Sequence, residues 1–118
     1  MALLSDIVTG LRFGGLLPIT DIPTTYTVVS ADSGKCLRST SAAAVTWTLS
    51  KTAPRGTALR GIQGAGAITF VEEASAPPVD NLLGYDTTGG EYAEFSLTVM
   101  NNTDGSSAEW VVSGPMTT

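Results

Sequence analysis

"YTVVSADSGKCLRSTSAAAVTWTL", residues 26 to 49, decides the fold class. It reads as a strand, a tight turn, a second strand, a loop and a third strand. Asp32, Ser33 and Gly34 are turn formers set between two apolar runs. In "VTWTL" strict alternation sends Val45, Trp47 and Leu49 to one face and Thr46 and Thr48 to the other. Further along, "TALRGIQ" and "AITFV" are strands, and the glycines of "GAG" between them, which permit positive φ, read as a hairpin turn. "EYAEFSLTVMN" has Ala93, Phe95, Leu97 and Val99 inward against Tyr92, Glu94, Ser96, Thr98 and Met100 outward. "NNTDGSS" turns the chain, "EWVVS" returns it, and a short strand is expected near "NLLGY". The expectation is an all-β protein, an antiparallel sandwich or jelly-roll-like barrel of about seven or eight short strands. Its core is expected to hold Val45, Trp47, Leu49, Ile68, Phe70, Phe95, Leu97, Val99, Trp110 and Val112.

The first 25 residues lack this alternation, so the chain divides into an N-terminal arm, 1–25, and a β-sandwich domain, 26–118. Leu3, Leu4, Ile7, Val8 and Leu11 recur at helical spacing, which predicts a turn or two of amphipathic helix. Gly14 and Gly15 free the backbone, and Pro18 and Pro23 favour an extended path for "LLPITDIP". Asp6 and Arg12 interrupt the apolar run, and no basic start precedes it, unlike a signal peptide. No stretch of about 20 apolar residues is present to cross a membrane.

A chain of 118 residues is one domain's worth, able to bury about two thirds of its unfolded surface. Cys36 is the sole cysteine, which rules out an intrachain disulfide, and the absence of histidine removes imidazole as base, ligand or pH switch. The net charge is −5, and the six basic residues are scattered, which argues against nucleic acid as a partner. Charged residues make up 14% of the chain, against about 25% in typical domains. Polarity comes instead from 28 serines and threonines. A surface so poor in charge tolerates burial, which points to subunit contacts.

Candidate chemistry is thin. Gly64 and Gly66 stand as G-x-G, but a strand rather than a helix follows, so no phosphate loop is expected. Glu72 and Glu73 face opposite ways on a strand, and Glu91 and Glu94 read as surface carboxylates. Ser33 with Lys35, or Ser50 with Lys51, match a serine–lysine spacing that arises by chance in so serine-rich a chain. Cys36 reads as a buried structural thiol. Asn101-Asn102-Thr103 fits a sequon in a turn-rich stretch, and Asp80, Asp86 and Asp104 lack the dense ligand spacing of a calcium loop. No catalytic, cofactor or metal site is expected, and the chain reads as a non-enzyme.

One resemblance gives the pattern a context. Tyr26-Thr27-Val28-Val29, Ala31-Asp32-Ser33-Gly34-Lys35, Leu37-Arg38, "VTWTL", Gln63-Gly64-Ala65-Gly66 and "ITF" resemble a β-module of tailed-phage structural proteins. "GGEYAEFSLTV" and "EWVVSG" are similar to its closing strands, so the likeness covers about residues 26 to 114. Ser50-Lys51 replaces the proline usual after the third strand. The module also occurs in tail fibres, but here it fills nearly all of the chain behind an aliphatic arm, a context similar to capsid decoration, or cement, proteins. The resemblance implies a virion component made in the host cytoplasm, bound to the major capsid protein on the outer capsid surface as a homotrimer. A tail or tail-fibre part contacting a host receptor or glycan is the alternative. Leu3, Leu4, Ile7, Val8, Leu11, Phe13, Leu16 and Leu17 of the arm are the expected oligomer or capsid interface.

Overall fold

Alternating apolar and polar side chains require each strand to bury one face, and ten strands do so against each other in a computed structural model. The structure describes residues 18–74, 76–80 and 84–117. The strands are β1 (Ile19–Ile22), β2 (Tyr26–Val28), β3 (Cys36–Ser39), β4 (Val45–Leu49), β5 (Ala58–Ile62) and β6 (Ile68–Glu72). They continue with β7 (Thr87–Thr88), β8 (Glu94–Asn101), β9 (Glu109–Ser113) and β10 (Met116–Thr117). A single 3-10 turn, Ser30–Asp32, is the only helical element among the described residues. Two five-stranded sheets result, ordered β1-β3-β5-β8-β9 and β10-β7-β6-β4-β2. They form a sandwich around one core.

The all-β expectation holds, but strand number and direction differ from it. Among the described residues there are ten strands, and β1–β3, β3–β5, β2–β4 and β4–β6 pair in parallel, so the sheets are mixed and not a jelly roll of antiparallel neighbours. The reason is how the chain travels. From β1 to β6 each connection carries it to the opposite sheet and reverses its direction. Two reversals restore the original direction, so successive visits to one sheet lie parallel without the helical crossover such pairs usually need. The β6–β7 connection touches the edge of the other sheet at Asp80, which bridges Val111 of β9 in parallel, and then returns to the sheet it left; this changes the parity, and every later pairing between strands is antiparallel.

The "GAG" stretch is therefore a crossing between sheets, not a hairpin turn. Neither Gly64 nor Gly66 has positive φ. Both are small because the crossing runs tight against the β3–β4 connection. A Cβ on Gly64 would strike the Ser39 carbonyl, one on Gly66 would strike that of Ala43, and the Gly66 amide donates to the Ser41 carbonyl at 3.0 Å. The extended path expected for "LLPITDIP" is, from Ile19 to Ile22, an edge strand in register with Cys36–Ser39. The strand expected near "NLLGY" falls mostly on 81–83, outside the described residues.

Nine of the ten expected core residues are buried, and Val45 is half-buried against them. At the centre Trp47 and Phe70 from one sheet meet Phe95 from the other, with ring centroids 5.0 to 6.1 Å apart and edge-to-face tilts. Such pairs add about 0.5–1.5 kcal/mol each beyond the burial of their area. Phe95 lies over Gly61, where any side chain would collide with its ring. Trp110 donates its indole N–H to the Ser50 carbonyl at 2.8 Å, tying β9 to the end of β4.

Candidate functional site

The resemblance motif folds into one constellation. Tyr26 sits on the inner face of β2, its ring 6.0 Å from Trp47, and its hydroxyl donates to both carboxylate oxygens of Asp32 at 2.9 and 3.0 Å. Asp32 is 2% exposed; it also accepts the Val29 amide at 3.0 Å and lies 3.6 Å from the Lys35 ammonium. Gly34, at φ 83°, provides the left-handed residue that turns the chain into β3. Burial, then the hydrogen bond and charge of Asp32, push the Tyr26 hydroxyl up to about 12. Tyr26, Asp32, Gly34 and Lys35 thus build the β2–β3 crossing.

Other residues weighed as chemistry are likewise engaged. Ser33 Oγ accepts the Ala58 amide, Glu73 accepts the Lys51 amide, and Ser50 Oγ pairs with Thr52. Glu94 pairs with Arg60 on the outer face of β5 and β8. Cys36 is 4% exposed, and burial pushes its thiol up, Arg60 opposing and Glu94 adding to the effect. Asn102 donates to the Ala53 carbonyl, while Asn101 is exposed. Asp104 closes its own turn, held below the usual carboxylate range by the Ser106 amide and Ser107 hydroxyl. Asp80 extends the sheet beside Val111, and Asp86 accepts from Thr87. Among the described residues no cluster of acidic, cysteine or histidine side chains is placed to hold a metal. No helix among them is long and apolar enough to cross a membrane. The expected arm interface, Leu3, Leu4, Ile7, Val8, Leu11, Phe13, Leu16 and Leu17, lies outside the described residues.

Two surface features bear on binding. The outer face of the second sheet is a threonine array: Thr46, Thr69, Thr87 and Thr117 stand in register across four strands. A second row runs Thr27, Thr48, Val71. These positions carry no charge, and a shallow trough of about 340 Å³ is lined by Thr25, Tyr26, Thr27, Thr46 and Thr48. The outward threonines of "VTWTL" were legible; their alignment with Thr27 and Thr69 required the parallel register. The second feature is a recess of about 260 Å³ at the end of the other sheet, lined by Arg38, Ser39, Thr40, Ile62, Gln63, Gly64, Ala65 and Tyr92. Arg38 is held by Asp21 through two contacts of 2.9 Å. Tyr92 has φ 69° and is 77% exposed, a conformation costing a side chain about 1–2 kcal/mol. The strand expected from Glu91 begins instead at Glu94, so Tyr92 lies in the turn before β8 and not on the outward face of the strand, because its left-handed backbone cannot continue the pleat.

No protein-family model matches the chain, and no curated protein is significantly similar to it.

Proposed function

We propose that the protein is a virion structural component that binds the outer capsid surface as a homo-oligomer and stabilises the head. The reading rests on the motif likeness to tailed-phage modules, and the threonine array is the structural observation that supports it. A face of uncharged, β-branched side chains loses less hydration energy when covered than one bearing lysine or glutamate, whose buried charges cost far more than hydroxyls when left unpaired. Repetition over a shell adds small interface energies at every site.

The test is the position of the protein on purified virions of the phage that encodes it, read by electron cryomicroscopy. Density repeated over the shell is expected; confinement to the tail, or absence from the particle, overturns the proposal. A Thr46→Lys/Thr69→Lys double variant is expected to stay folded and lose shell occupancy.

A further inference from the structure

The geometry points to a binding site for one neutral hexopyranose in the recess lined by Tyr92, independent of the capsid reading. Tyr92 is the most conspicuous anomaly of the surface. Its backbone occupies the left-handed region that favours glycine or asparagine, yet the position carries a large aromatic side chain. That side chain is 77% exposed, so the core gains little from it, and no hydrogen bond from its hydroxyl is found among the described residues. The conformation is fixed from both sides. The Tyr92 amide donates to the Gln63 carbonyl at 3.0 Å, the Ala93 amide to the Gly90 carbonyl at 3.0 Å, and the Gly90 amide to Gln63 Oε1 at 3.1 Å. A strained residue held this firmly and contributing little to the fold suggests a role at the surface.

The recess supplies what a sugar ring requires. A tyrosine ring is a stacking surface for the C–H face of a pyranose, and half-buried Ile62 adds apolar wall. Beside them Arg38 and Asp21 form a planar pair, 50% and 54% exposed in their side chains, whose remaining N–H groups and lone pairs suit adjacent hydroxyls. The exposed Thr40 adds a hydroxyl at the rim. Because Asp21 neutralises Arg38, the recess lacks the free positive charge that a phosphate or uronate would need. A neutral ring fits its chemistry.

The test is saturation-transfer NMR of the full chain with methyl glycosides of glucose, galactose, mannose and N-acetylglucosamine, alongside a glycan array. Transfer from at least one glycoside is expected; array binding in addition identifies the source as a glycan terminus, and its absence identifies a free sugar. Tyr92→Gly is expected to weaken binding about tenfold or more while melting at or above the native temperature, since glycine accepts this φ. Tyr92→Asn, which also tolerates the conformation, serves if the glycine variant misfolds, and Tyr92→Phe is expected to retain binding. Transfer from none of the probes, binding unchanged in both Tyr92→Gly and Tyr92→Asn, or preference for acidic sugars abolished by salt would overturn the proposal.

Discussion

Asp32 is the residue on which most local structure converges, and it shows how a turn motif and a core contact become one object. Its carboxylate is buried, accepts from Tyr26 and Val29, and stands near Lys35. In sequence Asp32 reads as a turn former, which is correct. Its partnership with Tyr26, six residues earlier, was not legible because alternation says nothing of where a hydroxyl reaches. The pair has a pH consequence. Tyr26 ionises near 10.0 when unperturbed and at about 12 in the folded protein. Below pH 10 the residue is neutral in both states and its contribution is intact. Above that the unfolded chain loses its proton first, so stability falls as pH rises towards 12. Melting temperatures across this window are expected to drop more for the native protein than for Tyr26→Phe. At neutral pH that variant is expected to be about 1–2 kcal/mol less stable, because Asp32 loses a donor.

At the scale of elements, the strands were legible and their partners were not. Alternation located β4, β8 and β9 because one face of each is buried on the core. The turn residues were found for the same local reasons. A glycine-rich link, however, has similar composition whether it returns the chain to its own sheet or carries it across. "GAG" therefore reads as a hairpin where the chain crosses between sheets, and the regular spacing of short strands and turns, which suggests antiparallel neighbours, is equally compatible with repeated crossings. Glycines separate the cases once their surroundings are known. Gly34 is required by φ and has open space for a Cβ, whereas Gly61 is required by the Phe95 ring. Gly34→Ala is expected to cost about 1 kcal/mol in urea melts, through conformation alone. Gly61→Ala is expected to cost about 1–3 kcal/mol, and less in a Phe95→Leu background, since only that clash is coupled to its neighbour.

The whole molecule inherits its kinetics from the order of its strands. Almost every strand pairs with one distant in sequence, and even β1 and β3 meet only after the chain has visited the other sheet. Folding must close these loops before pairing stabilises them, so stopped-flow refolding is expected on the millisecond-to-second scale, not in microseconds. The composition had already suggested a surface suited to contact; the gathering of hydroxyls onto one sheet depends on register and was beyond what spacing reveals. The same strand order has a mechanical meaning. Among the described strands, seven of the nine connections join strands of opposite sheets; β8–β9 is a return within one sheet, and β6–β7 starts and ends in one sheet but touches the other at Asp80. The two layers are laced together by their own backbone. Prying them apart pulls on covalent bonds at many points, so a protein whose single thiol is buried in β3 resists splaying without any cross-link.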